Sequence, residues 1–146
     1  MKESKKQRVR GGFTMVELMA VLIILGLLAG VVVKSFVGQV DKAKVNTTRA
    51  SLKLLHSAIT EYYMTTGRWP GEDEGLYVLV EPPTDGTEWP EGGYLETTDI
   101  PPDGWGNEFI YELYPESGKP FVIKSLGADA QEGGEGYDAD LLSTDI

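Results

Sequence analysis

The chain has 146 residues, no cysteine and a formal net charge of −10, enough for one small domain with an appended segment. The charge is uneven: residues 1–12 carry five basic side chains against one acidic, whereas residues 70–146 carry 19 acidic ones against Lys119 and Lys124. So acidic a body excludes nucleic acid as its main partner, because phosphate binding needs clustered Lys and Arg. Without cysteine, a small domain must be held together by some means other than disulfides.

Residues 1–12 read as a basic, removable leader without a fold of its own. From Phe13 to Val33 the chain is apolar with a single charge, Glu17, and Lys34 ends the run. A helix of that length measures about 31 Å at ~1.5 Å per residue, sufficient to cross a bilayer core. The basic leader stays cytoplasmic by the positive-inside rule, which sends the acidic part outward, to the periplasmic side in a bacterium. A carboxylate in such a span costs at least about 2.5 to 3.5 kcal/mol, so Glu17 needs a partner or a role. A secretory signal should end in small residues after a short apolar core. Leu28-Ala29-Gly30 is the candidate here, and it lies inside the apolar run.

No proline interrupts residues 13–66, and one helix is expected across them. After Lys34 the pattern becomes amphipathic. Thr48, Leu52, Leu55, Ile59 and Tyr62 follow alternating steps of four and three, with Leu54, Ala58 and Tyr63 widening the stripe. That face is expected to lie on a globular head. Gly26, Gly30 and Gly38 are weak points in the helix, and Gly26-xxx-Gly30 also fits a small-residue contact face. Gly67 should cap the helix in a left-handed conformation, with Pro70 just beyond.

All eight prolines lie from Pro70 onward, which marks residues 67–146 as the head. A short helix is expected over Asp73–Val80, with its acids facing the positive end of the dipole. Loop follows to Pro101-Pro102, anchored by Trp89 and Tyr94-Leu95. Residues 109–114 and 120–125 read as strands joined by Pro115-Glu116-Ser117-Gly118, a hairpin over 109–125. The expected fold class is therefore α+β, a long N-terminal helix on a small antiparallel head with long loops. The segment 126–140 is acidic and glycine-rich. Its Asp129, Asp138 and Asp140 suit either a solvated loop or a hard cation such as calcium, and their spacing is not that of an EF-hand.

Gly12-Phe13-Thr14-Met15-Val16-Glu17-Leu18, behind a basic leader and ahead of an apolar helix, resembles the processing site of type IV pilin-like proteins. The resemblance implies that a prepilin peptidase cuts after Gly12 and methylates the new amine of Phe13. It also implies that Glu17 pairs with that amine on a neighbouring subunit and sets the register of a polymer. Further blocks narrow the likeness. Thr66-Gly67-Arg68-Trp69-Pro70, Glu74-Gly75-Leu76, Gly92-Gly93-Tyr94-Leu95, Asp103-Gly104-Trp105-Gly106-Asn107 and Ser125-Leu126-Gly127-Ala128-Asp129 follow one order. So does Glu132-Gly133-Gly134-Glu135-Gly136-Tyr137-Asp138-Ala139-Asp140. Together they are similar to the major pseudopilins of type II secretion systems, from Gly12 to Asp140.

That likeness implies a homopolymer in contact with minor pseudopilins, an inner-membrane assembly platform and membrane lipid. Its filament would help move folded proteins across the outer membrane. It also implies calcium in the acidic loop, with Asp129, Asp138 and Asp140 as side-chain ligands and Leu126 offering its carbonyl. Three departures stand out. Lys34 occupies a position where the family usually has a proline, near a region where the helix partly unwinds in filaments. Gly104 replaces a usual proline and Glu108-Phe109 the usual Pro-Tyr. Residues 141–146 lack the usual Gly-Asn-Trp ending. The alternative is a type IV or DNA-uptake pilin, many of which staple the C-terminal region with cysteines this chain lacks. An enzyme is disfavoured: His56, the one histidine, falls on the long helix, and no cysteine nucleophile or phosphate-cradling glycine loop accompanies it.

Overall fold

A computed structural model describes residues 11–146, without the side chains of 33–37. Residues 1–10 of the expected leader lie outside the described residues. The chain divides into two units, one ending at Gln39 and the other spanning Val40–Ile146.

Helix α1, Met15–Thr66, is a single 52-residue element that runs without a break through residues 33–37. Thus the backbone is helical at Lys34. In the first unit its start is a capping box: Thr14 Oγ1 accepts from the Glu17 N–H at 3.2 Å, and Glu17 Oε2 accepts from the Thr14 N–H at 3.0 Å. The helix ends as expected. Gly67 adopts φ +75° and donates its N–H to the Tyr63 carbonyl at 2.8 Å.

In the second unit the stripe of α1 forms one wall of the core. Thr48, Leu52, Leu55, Ile59 and Tyr62 are fully buried, and Ala58 nearly so. Leu54 and Tyr63 do not widen it, being 51% and 40% exposed. Leu54 stands two residues, roughly 200°, from Leu52 and so points off the face. Tyr63 instead stacks on Trp69, ring centroids 4.1 Å apart. The expected short helix is a 3-10 helix, Gly75–Leu79, that contributes Leu76, Val78 and Leu79 to the core. Glu74 at its N-cap makes no cap hydrogen bond. The acid does stand at the helix start as expected, but its hydrogen bonds go to Arg68, which holds it in a fork at 2.7 and 3.0 Å.

The hairpin is present. Strand β1, Ile110–Leu113, pairs antiparallel with β2, Phe121–Ser125, placing Tyr111 opposite Ile123. The turn closes where the Gly118 N–H donates to the Pro115 carbonyl at 3.0 Å. Phe121, Ile123 and Ser125 alternate onto the core face of β2. A third strand, β3 (Leu141–Leu142), pairs antiparallel with β2, giving the order β1-β2-β3. Nothing in the sequence signals it, since two residues show no alternation. Buried Ser143 completes it: its N–H donates to the Ile123 carbonyl at 2.8 Å, and its Oγ accepts from the Ile123 N–H at 3.0 Å.

Candidate functional site

The Gly12-Phe13 junction precedes the first turn of α1 and has no regular secondary structure. Gly11 and Gly12 are exposed, with nothing within 4 Å of where a Cβ would sit on either, and Phe13 is 85% exposed. An accessible peptide bond outside regular structure is what a peptidase requires. Beyond it, Met15–Val32 has a mean hydropathy of 2.7 and none of it is buried within the chain. One N-terminal helix is therefore long and apolar enough to serve as a single-pass anchor.

Glu17 is the one acidic side chain in this stretch. Its Oε2 accepts from both the N–H and the hydroxyl of Thr14, each at 3.0 Å. The carboxylate thus has a local role, capping, that the sequence reading did not assign. The signal was there: Thr14-x-x-Glu17 ahead of an apolar run is a capping-box spacing. Capping leaves the negative charge itself uncompensated by any cation among the described residues.

A second cluster joins the head loops to α1. Asp103 is 4% exposed, and its Oδ1 accepts from the N–H groups of Trp105 and Asn107 at 2.9 and 2.8 Å. Its Oδ2 accepts from the Ser125 hydroxyl at 2.6 Å. The neighbouring Gly104 N–H donates to Thr48 Oγ1 at 2.8 Å, and that hydroxyl donates to the Lys44 carbonyl at 2.9 Å. A Cβ at Gly104 would collide with the Lys44 backbone. Glycine at 104 thus permits both a backbone-to-helix approach and an N–H that proline lacks. It also explains why a threonine can occupy a fully buried stripe position.

In the loop 126–140, Asp129 Oδ1 accepts from the Gln131 N–H and Asp140 Oδ2 from the Gly133 N–H, both at 3.1 Å. The Asp138 carbonyl lies close over Gly127 and Gly134, where an added Cβ would come within 2.7 and 2.5 Å of it. Asp140 Oδ1 is buried with no hydrogen-bond partner. Among the described residues no three acidic or histidine side chains converge as a metal-binding group. Asp129, Asp138 and Asp140 share the loop but not a common point. A single orphaned carboxylate oxygen and a crowded carbonyl are the features that suit a cation here. His56 is half-buried against the Phe121 ring, centroids 4.7 Å apart, and burial pushes its pKa below the ordinary value.

An accessible Gly-Phe junction, an apolar helix with one glutamate and a small antiparallel head define a pilin-like subunit. Residues 7–33 match the prokaryotic N-terminal methylation motif, and residues 35–144 match the family described as type II secretion system (T2SS), protein G. The chain belongs to the type II secretion system protein G family. It is 38% identical over 143 residues to the type II secretion system core protein G of Pseudomonas aeruginosa, covering 96% of this chain and 99% of that one. It is 39% identical over 144 residues to the core protein G of Vibrio cholerae, covering 97% of each. The fold matches the crystal structure of the major pseudopilin from the type 2 secretion system of enterohaemorrhagic Escherichia coli. That match has a TM-score of 0.62 at 25% identity, and covers 75% of this chain and 94% of the other.

Proposed function

We propose that the chain is the major structural subunit of a type II secretion pseudopilus, and a polymer-forming protein rather than a catalyst. A prepilin peptidase cuts between Gly12 and Phe13 and methylates the new amine. The mature subunit waits in the inner membrane as a single-pass protein with its head in the periplasm. It then packs through α1 into a filament that helps move folded proteins across the outer membrane. Minor pseudopilins, an inner-membrane assembly platform and lipid are its partners, and the acidic head disfavours nucleic acid. The observation that carries this reading is Glu17: a carboxylate without a cation, flanked by exposed apolar side chains from Met15 to Val32.

Pairing Glu17 with the Phe13 amine of the next subunit compensates that charge inside a lipid or protein environment of low dielectric. Thr14 holds the carboxylate near the helix start until the neighbour arrives. Glu17→Ala, expressed with its secretion apparatus, should leave membrane insertion intact and abolish both filaments and secretion. Filaments and secretion at wild-type levels in Glu17→Ala would refute the register role.

The family likeness points to a calcium ion in the loop 126–140, for which the carboxylates of Asp129, Asp138 and Asp140 and the Leu126 carbonyl would have to draw together, since the three side chains do not converge in this structure. When bound, such an ion would supply positive charge that offsets repulsion among these carboxylates. Support comes from the orphaned Asp140 Oδ1 and the acid-rich composition. Calorimetry with calcium on the full chain in detergent should give heat for wild type and none for Asp140→Ala. Equal heats would remove the site.

A further inference from the structure

The cations of the head are used unequally. Arg68 is ion-paired with Glu74 and Asp85, and Lys124 with Glu112 and Glu132. Lys53 and Lys119 form no ion pair among the described residues. Both line one groove of about 500 Å³ between the second half of α1, the start of β2 and the C-terminal residues. Aromatic rings make its wall: Trp69 and Phe121 lie 5.0 Å apart, and the His56 ring leans at a tilt on Phe121 at 4.7 Å with its Nδ1 buried and without a partner. Two uncompensated ammonium groups beside an aromatic wall suit an acidic segment that carries an aromatic ring of its own.

The same chain offers that segment. A recess of about 390 Å³ beside β1 is bordered by Glu72, Asp73, Asp99 and Glu108, and Tyr77 there is 60% exposed. Glu72 and Asp73 form no ion pair among the described residues. The acidic loop 126–140 has its charges partly engaged. Glu132 pairs with Lys124, while Asp129 and Asp140 accept backbone N–H groups. At 72–77, uncompensated carboxylates thus stand next to an exposed ring.

We infer that the groove between Lys53 and Lys119 of one copy receives the Glu72-Asp73 segment and Tyr77 ring of a second copy. The two surfaces are different, so the contact is heterologous, the kind of contact from which an open filament is built. This rests on the polymer reading and adds to it a specific contact between heads. It makes Lys53, Lys119, Glu72 and Asp73 determinants of how successive heads meet, apart from the pairing of Glu17.

The absence of cysteine makes the test direct. Ser57→Cys lines the groove on an exposed position, and Asp73→Cys marks the acidic segment while leaving Glu72 and Tyr77 in place. Full chains carrying one substitution each, co-expressed with the secretion apparatus, should form a covalent dimer when membranes are treated with a short bis-maleimide. Lys53→Glu with Lys119→Glu should lower filament yield about tenfold or more, through like-charge repulsion. Adding Glu72→Lys with Asp73→Lys to the same chain should restore it. Wild-type filaments without the Ser57→Cys to Asp73→Cys crosslink overturn this contact and leave the polymer reading standing. A crosslink from Ser57→Cys to a different protein, with none between copies, also overturns it. No filaments from the wild-type chain under any condition would instead remove the polymer reading itself.

Discussion

Asp103 shows how strongly one side chain can hold the head together. Its carboxylate is the acceptor for two backbone N–H groups and one hydroxyl, all within 2.9 Å and out of water. Asp103→Ala strands the Trp105 and Asn107 N–H groups at about 1–3 kcal/mol each. The Ser125 hydroxyl can rotate, so its loss costs less. Part of the total is recovered because no carboxylate has to be dehydrated. The expected net loss is about 3–4 kcal/mol, set against a total stability of about 5–15 kcal/mol for a domain of this size. Asp103→Asn keeps Oδ1 for both amides and turns an N–H2 toward Ser125, so its cost should be about 1–2 kcal/mol. Urea unfolding of the full chain in detergent reads this, because Trp69, Trp89 and Trp105 all lie in the head. If both variants unfold within about 0.5 kcal/mol of wild type, the range of neutral surface changes, the clamp carries no weight.

Two further outcomes follow from the same contacts. Gly104→Ala should cost about 2–4 kcal/mol in the same assay, since its Cβ meets the Lys44 backbone, which cannot turn aside as a side chain would. Arg68→Met should cost about 1 kcal/mol at neutral pH, reduced from a buried-pair value because both partners are partly exposed. The Arg68 hydrogen bonds hold the Glu74 pKa below its ordinary value of 4.5. The stabilisation is thus fully present above that value and is lost as pH falls through the depressed one. The gap between wild type and Arg68→Met should accordingly close on acidification below about 4.5. A gap that persists at pH 2 would show that Arg68 acts through packing, for instance over the Tyr62 ring at 5.6 Å.

The long helix, its cap at Gly67, the core stripe from Thr48 to Tyr62 and the hairpin were legible in the sequence because each is encoded locally. Periodicities of 3.6 and 2, a glycine after the last turn and a Pro-Glu-Ser-Gly turn need no knowledge of distant residues. The N-terminal methylation motif that residues 7–33 match was legible for the same reason, as one contiguous stretch in the right context. Tertiary structure alone decided which polar groups meet. Thr48 and Gly104 stand 56 positions apart, Arg68 and Asp85 17, and Asp103 and Ser125 22, with no pattern in between to announce the pairing. Strand β3 was hidden because two leucines cannot show an alternation, and only the path of β2 makes them a strand. The groove at Lys53 and Lys119 was equally invisible, since it exists only where α1, β2 and the C-terminus converge. Repeating patterns determine which faces are apolar, whereas the pairing of single short side chains depends on where the folded chain brings them.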